Sequence, residues 1–446
     1  MKLVYDVEQK PKFGQMLVFA FQQVRAILAA TIAVPTIVGN GMSQSAALFG
    51  AGVGTIVYLL FTKFKSPVFL GSSFAFLGSM MAAFAGAVSS AAGYAGLIIG
   101  AFFAGLVYVI IALVVKFAGV KWIDKLMPPV VIGPTVAIIG LSLAGNAIGD
   151  SLSLAQAGEA GGYVMTGPGW AGLVCALVTM FTIMLSSVYG KKMMKLIPFI
   201  IGIIAGYIVA TIFTLIGMST GNEALLIVDY SKFASMQWFP DFTFLTAMKG
   251  FKDIDATYIA TIAVAYVPVA FVVFAEHIAD HKNLSSIIER PLLEKPGLHR
   301  TLLGDGVGSM AGAIFGGCPN TTYGESVGCV AITGNASVAT ILTTAILAII
   351  ISFFGPFVAF LATIPSCVMG GVCITLYGFI AVSGLKMIQA VNLEDNKNLF
   401  VVSVILIAGI GGMALQIGNV TLTEVACALI LGIIANLILS GKQKQQ

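Results

Sequence analysis

Apolar runs that reach, or nearly reach, the length needed to cross a bilayer recur from one end of this 446-residue chain to the other. A transmembrane helix takes about 20 consecutive apolar residues. On that rule fourteen candidate spans lie at approximately 16–36, 44–62, 68–84, 93–116, 128–148, 169–188, 196–217, 257–280, 301–316, 320–334, 336–363, 365–385, 399–416 and 421–440. Charged residues make up 9% of the chain, where soluble domains carry about 25%. The fold class is therefore an all-α polytopic membrane protein, with the lipid bilayer as its solvent. Met1–Gln15 is polar and charged and leads into further membrane rather than a cleavage site, so it does not read as a secretory leader. The basic residues are spread through short loops, which speaks against nucleic-acid binding. Cys175, Cys318, Cys329, Cys367, Cys373 and Cys427 all fall in or beside apolar segments without CxxC pairing, so neither a disulfide framework nor a metal site is expected.

Basic residues also set the orientation. Lys63 and Lys65, Lys116 to Lys125, Lys191 to Lys195, Lys282 to Arg300, Lys386 and Lys397, and Lys442 and Lys444 occupy alternate loops or the C-terminus. Lys2, Lys10 and Lys12 fall on the same side, whereas the opposite loops hold only Lys232, Lys249 and Lys252. The positive-inside rule then places both termini in the cytoplasm of a cell whose plasma membrane the chain crosses many times. A repeat is visible as well. Pro128-Pro129-Val130-Val131-Ile132-Gly133 opens the fifth span and Pro365-Ser366-Cys367-Val368-Met369-Gly370 the twelfth. The third and tenth spans are both short, rich in Gly, Ser and Thr, and preceded by a proline, Pro67 or Pro319. Each pair is seven spans apart. Seven is odd, so the halves have opposite topology, the inverted-repeat plan of many secondary transporters.

The tenth span contains the least lipid-like stretch of all, Gly317-Cys318-Pro319-Asn320-Thr321-Thr322-Tyr323-Gly324-Glu325-Ser326. A charge at membrane depth costs several kcal/mol and is kept where protein or water surrounds it. Glu325 is one such charge. Glu276 and Asp280, in the eighth span, are two more, and their four-residue spacing puts both carboxylates on one helix face. Two carboxylates facing one cavity repel each other and lose hydration, conditions in which one can hold a proton and release it when the cavity rearranges. Asp305 in the ninth span reads as a partner near the broken helices, Arg25 in the first as a candidate partner for one of the acids, and Glu424 as interfacial. Half-helix N-termini at the third and tenth spans offer backbone N–H groups to ring carbonyls. Carboxylates accept ring N–H bonds, and Phe74 and Tyr323 are placed to stack on a flat ring. No HExxH, GxSxG, Walker loop or Rossmann fingerprint is present, so neither an enzyme nor a nucleotide-driven pump is expected.

These residues carry a resemblance. Leu70-Gly71-Ser72-Ser73-Phe74-Ala75-Phe76, Ala275-Glu276-His277, Pro296-Gly297-Leu298-His299-Arg300 and Pro319 to Glu325 resemble the nucleobase–cation symporter family, also called nucleobase–ascorbate transporters, and within it the uracil carriers of bacteria. The resemblance implies fourteen spans in two inverted sevens, with spans 3 and 10 half strand and half helix. It implies a core domain of spans 1–4 and 8–11 (1–125 and 257–363) and a gate domain of spans 5–7 and 12–14 (126–256 and 364–446). By position, Glu276 and Glu325 match the substrate carboxylates, Phe74 the span-3 contact, and Tyr323 and Gly324 the span-10 contacts. Asp280, Asp305, Ser73, Ser326 and Gln23 are implied in proton coupling or in support of the site. Homodimers are common in such a family, and no cofactor or metal is implied beyond a coupling proton.

Four positions depart from the family pattern. Ser326 stands where the span-10 signature has Asn, and Gln22-Gln23 where a Gln-His pair is common. Asp280 stands where some uracil carriers have His and many purine carriers Asp, and Arg25 is unexpected. The function expected is import of uracil by proton symport, through movement of core against gate. The alternatives are a xanthine or uric acid symporter on the same fold and, further off, an anion carrier of the same plan.

Overall fold

The computed structural model describes residues 3–119, 128–158, 162–191, 194, 197–234, 236–417 and 420–440. The basic loop around Lys121 to Lys125 and the terminal Lys442 and Lys444 lie outside them. The described residues form two compact units. The first comprises Met1–Ile139, Pro240–Phe353 and Val382–Gln446, the second Gly140–Phe239 and Phe354–Ala381.

In chain order the elements are α1 (Phe13–Val38), α2 (Gln44–Phe61), β1 (Leu70–Ser72), α3 (Leu77–Ala85), α4 (Ser90–Ala118), α5 (Pro129–Ser142), α6 (Ala144–Ser151), β2 (Gln156–Ala157), β3 (Tyr163–Val164), α7 (Gly167–Tyr189), α8 (Pro198–Thr220) and α9 (Thr243–Gly250). They continue with α10 (Ala256–Ile288), α11 (Leu298–Gly316), β4 (Asn320–Thr322), α12 (Gly324–Thr333), α13 (Val338–Ser352), α14 (Gly355–Ala362), α15 (Ser366–Ile388), α16 (Asn396–Ile410), β5 (Leu415–Ile417), β6 (Val420–Leu422) and α17 (Glu424–Ser440). Their ends follow ordinary helix chemistry. Ser43, Ser89, Thr166 and Asp255 accept from the backbone N–H three residues on, and α7 and α8 start on prolines at their first turn. Gly221, Gly317 and Gly334 close α8, α11 and α12 in the left-handed conformation.

By length and apolarity, eight helices among the described residues can cross a membrane, or nine if α13 and α14, bent by 78°, form one span. The expected count of fourteen included shorter and more polar stretches. Phe74–Ala85, α16 and α17 are apolar but shorter helices, α11 carries His299, Arg300 and Asp305, and the tenth span is half strand.

The repeat is legible in the backbone. Val131 N–H donates to Pro128 O at 2.8 Å and Ile132 N–H to the same oxygen at 3.1 Å. At the other end of the chain Val368 N–H donates to Pro365 O at 3.0 Å and Met369 N–H at 3.2 Å. The two Pro-led helices thus start with one turn repeated. Spans 3 and 10 correspond as well: each is a three-residue strand running into a short helix, and the strands pair antiparallel, as an inverted repeat requires.

In the first unit α11 packs against α2 and α4, and α10 against α4 and α3. The contact between α2 and α11 is made backbone to backbone. A Cβ at Gly54 would lie 2.7 Å from Gly308 O, and a Cβ at Gly308 would lie 2.7 Å from Gly54 O, so only glycine fits on either side. Residues 4–9 form a strap with a turn at Val7 and Glu8, closed by Gln9 N–H donating to Asp6 O at 3.0 Å. Val4 N–H and Tyr5 N–H donate to Gly334 O, Ala336 N–H donates to Tyr5 O, and Val338 N–H to Val7 O. Arg290, in the loop after α10, ion-pairs with Asp6 on the same strap. In the second unit α7 packs on α8, and the Tyr207 hydroxyl lies 2.8 Å from that of Thr363.

Candidate functional site

The site is built around the crossing of β1 and β4, where Leu70 faces Thr322, Gly71 faces Thr321 and Ser72 faces Asn320. Two further bonds extend the ladder: Ser73 N–H donates to Pro319 O at 2.9 Å and Tyr323 N–H to Phe69 O at 3.2 Å. In an antiparallel pair only alternate residues bond across the ladder, which leaves Leu70 and Ser72, both fully buried, with outward backbone groups. Side chains satisfy three of these groups. Thr55 of α2 accepts from Leu70 N–H at 2.9 Å and donates to Leu70 O at 3.2 Å. The Tyr323 hydroxyl donates to Ser72 O at 2.7 Å. The ring of Tyr323 covers Gly71, where any Cβ would collide with it. Asn320 reaches outward, its amide donating to Gly50 O at 2.9 Å. The crossing is thereby stitched to α2.

Each strand feeds a helix start. The 3-10 turn Phe74–Phe76 follows Ser73, and α12 follows Tyr323, in both cases without a side-chain cap. The first N–H groups of such helices have no intrahelical acceptor and carry the positive end of the dipole. Around them the surface opens: Gly324 is exposed, and Phe74, Glu276, Asp280 and Glu325 are half-buried among buried neighbours. A Cβ on Gly324 would meet only Asp280 Oδ1, at 3.7 Å. Asp280 is held there by the Thr322 hydroxyl, which donates to Oδ2 at 2.9 Å. Glu276, Glu325 and Asp305 are all within electrostatic reach of Asp280.

Helix α10 shows two faces. Glu276 and Asp280 lie toward the crossing, whereas His277 and His281, one position on, are fully buried and stacked with ring centroids 4.1 Å apart. His277 Nδ1 lies 2.6 Å from Asp305 Oδ2, and its Nε2 lies 3.0 Å from the Thr301 hydroxyl. His281 Nδ1 is 2.8 Å from His277 O. A carbonyl only accepts, so this nitrogen carries the hydrogen. The Tyr58 hydroxyl lies 2.7 Å from both His281 Nε2 and Ser66 Oγ.

The expected residues fall into three groups. Phe74, Glu276, Asp280, Gly324 and Glu325 border the open region. Gln23, Ser326 and Ser73 sit behind it: Gln23 Nε2 donates to Ser326 Oγ, which in turn accepts from Phe69 N–H at 3.1 Å. Ser326 therefore ties α1, the β1 segment and α12 together. Asp305 is buried beside His277. The Tyr323 side chain, expected to stack on a ring, is occupied within the crossing and only 4% exposed. Arg25 is exposed and makes no ion pair among the described residues. His277, His281, Tyr58, Thr55, Thr322 and Tyr108 were not singled out from sequence. The two histidines had a signal, since they repeat at the same four-residue spacing as the acids. The others lie on separate helices and are joined to the site only by folding. Among the described residues no group of His, Cys, Asp and Glu could hold a metal ion.

Comparison with known proteins bears on what this arrangement serves. The chain superimposes on the transmembrane domain of the cyanobacterium bicarbonate transporter BicA with a TM-score of 0.64 at 17% identity, covering 97% of this chain and 100% of that one. It also matches the murine Solute Carrier 26 family member A9 anion transporter in its inward-facing state, with a TM-score of 0.66 at 13% identity over 98% of this chain and 69% of that one. Both likenesses speak to the fold. In sequence, it is 41% identical to the uracil permease of Bacillus caldolyticus over 446 residues, covering 99% of this chain and 96% of that one. It is 33% identical to the uracil permease of Escherichia coli (strain K12) over 434 residues, covering 97% and 93%. The model of the Permease family, Xan_ur_permease, matches residues 14–418 and takes in the crossing, the acids of α10 and α12, and the buried histidines. The chain belongs to that permease family and is a multi-pass membrane transporter, not an enzyme.

Proposed function

We propose that this protein imports uracil across the plasma membrane in symport with a proton. The observation that carries the reading is the convergence, at one antiparallel crossing, of two uncapped helix starts with the carboxylates of Glu276, Asp280 and Glu325. Uracil is a flat ring that presents both N–H donors and carbonyl acceptors. Carboxylates take the first and helix N-termini the second. The uracil permease names of relatives 33–41% identical over nearly the whole chain support the same substrate. Of the assigned contacts, Glu276 and Glu325 accept ring N–H bonds, the α12 start at Gly324 faces a carbonyl, and Phe74 packs on the ring. Tyr323 shapes the site by holding β1 in place. Ser326, Gln23 and Ser73 fix the crossing behind it.

Fourteen spans with both termini cytoplasmic are part of this reading. The Asp6–Arg290 pair supports the second point, since it places the N-terminal strap at the same end of the first unit as the connection between α10 and α11, which carries Arg290 and Lys295. Transport then proceeds by alternating movement of core against gate.

The test is uptake of radiolabelled uracil into proteoliposomes under an inward proton gradient. Uptake collapses with an uncoupler if the reading holds. A strict sodium requirement, with no response to the uncoupler, rejects the proton.

Asp280 favours a second reading, a purine such as xanthine, because its carboxylate stands beside Gly324 in the open region. Xanthine displacing labelled uracil at lower concentration than unlabelled uracil decides for it. The fold shared with anion transporters is met by the same assay, since an anion site would still bind after Glu276→Gln and Glu325→Gln are combined.

A further inference from the structure

The motif Pro296-Gly297-Leu298-His299-Arg300 has no role at the crossing of β1 and β4; its neighbours are the ends of two other helices. Helix α11 runs antiparallel to α2, with Gly312 against Gly50, Gly308 against Gly54 and Gly304 against Phe61. It runs antiparallel to α4 as well, with Met310 against Gly105 and Gly306 against Tyr108. The last turns of α2 and α4 therefore meet the first turn of α11. Arg300 Nη1 donates to Phe61 O at 3.3 Å. Lys116, in the last turn of α4, and Arg300 are both within electrostatic reach of His299. Lys63 and Lys65 follow directly on α2 and are exposed.

Among the described residues no carboxylate pairs with any of these cations. The charges that act on His299 are all positive: burial and then Arg300 and Lys116 push its imidazole below the usual histidine range. Basic side chains in a first turn oppose the helix dipole, so helix stability does not account for His299 and Arg300. Arg300 also uses only one of its five N–H donors on Phe61. A lipid-facing stripe leads to this cluster. Phe102, Leu106, Ile110, Leu113 and Phe117 recur at helical spacing on one face of α4 and are exposed. Helix α4 is apolar and long enough to cross a membrane, so in a bilayer this face meets acyl chains. At about 1.5 Å per residue the stripe is about 22 Å long, more than half of a hydrocarbon core of about 30 Å. At its end Lys116 Nζ lies 5.4 Å from the centre of the Phe117 ring, which keeps the ammonium where chain gives way to headgroup.

We propose that this end of the first unit binds an acidic phospholipid, its phosphate held between Lys116 and Arg300 and an acyl chain laid along the α4 stripe. Guanidinium and ammonium both suit a phosphate, the first through paired N–H donors and the second as a point charge. A zwitterionic headgroup fits less well, because its own ammonium would meet cations and no carboxylate. Free phosphate lacks the chain that the stripe accepts. Binding of this kind is independent of what the permease transports and of its coupling ion.

The full chain, purified in detergent and stripped of lipid, is titrated with phosphatidylglycerol, phosphatidylcholine or inorganic phosphate while thermal unfolding is followed. Phosphatidylglycerol is expected to raise Tm at concentrations where the other two leave it unchanged. The quantity compared is the lipid-dependent shift within each variant, so a variant that is merely less stable does not register. Lys116→Gln and Arg300→Gln should each raise the phosphatidylglycerol concentration for the half-maximal shift about fivefold. Lys386→Gln, in the last turn of α15, should leave it unchanged. An equal shift with phosphatidylcholine overturns the choice of an acidic lipid, and an equal shift with inorganic phosphate makes this a site for a free anion. A full response in Lys116→Gln and Arg300→Gln, or an equal loss in Lys386→Gln, overturns the placement. Arg300 also caps α2, and should its substitution prevent folding, Lys116→Glu decides alone. That variant reverses the charge of an exposed side chain, and a phosphatidylglycerol shift that survives it overturns the proposal equally.

Discussion

One hydroxyl, that of Thr55, serves both polar groups of Leu70, and no water need enter to do so. Thr55→Val keeps the shape and removes both bonds, leaving a buried N–H and C=O bare. The expected loss is about 1–3 kcal/mol of stability, read as a lower denaturation midpoint in detergent. The acids predict a different pattern. Glu276→Gln and Glu325→Gln each replace a charge-assisted acceptor in a half-open site. Each should weaken uracil binding about 10–100-fold, the equivalent of 1.5–3 kcal/mol, without lowering the unfolding temperature of the free protein. Titration calorimetry and thermal unfolding of one preparation check both halves. Thr322 belongs with the acids, since it orients Asp280. Thr322→Val should alter competition between uracil and xanthine, whereas Thr322→Ser, which keeps the hydroxyl, should restore the original order.

At the level of the elements, the half-strands show what a sequence can and cannot disclose. Pro67 and Pro319, the run of small hydroxylated residues and the seven-span offset marked spans 3 and 10 as broken and paired, because a polar stretch in an apolar chain is conspicuous one residue at a time. The register, Gly71 against Thr321, depends on residues some 250 positions apart and was not legible. Nor was the use made of Tyr323, whose aromatic ring reads equally well as a ligand contact and as a cover for a glycine. The acids of α10 were legible by helical spacing, but the histidines beside them became informative only once Asp305 and Tyr58 were seen to face them. Gly71→Ala tests the element directly. The added methyl enters the ring of Tyr323, and overpacking of this kind costs about 1–3 kcal/mol. Transport should fall with stability here, in contrast to Glu276→Gln, where it falls alone.

For the molecule as a whole, ligand and fold are linked by mass action. Uracil at about 100 times its Kd should stabilise the folded protein by about 2.7 kcal/mol. A panel of pyrimidines and purines ranked by shift in unfolding temperature should therefore place uracil first, and a purine at the head of the ranking would reverse the substrate assignment. The crossing also has a consequence for how the chain is made. Ser72 and Tyr323, whose side chain completes β1, are 251 positions apart. When the third span leaves the ribosome, its outward carbonyls and amides have no partner, and lipid offers none. The nascent segment must wait at the membrane surface or under the insertion machinery until the eleventh helix and β4 have been synthesised. A chain stalled before residue 319 should accordingly leave span 3 open to proteases and water-soluble thiol reagents, and release of the stall should bury it.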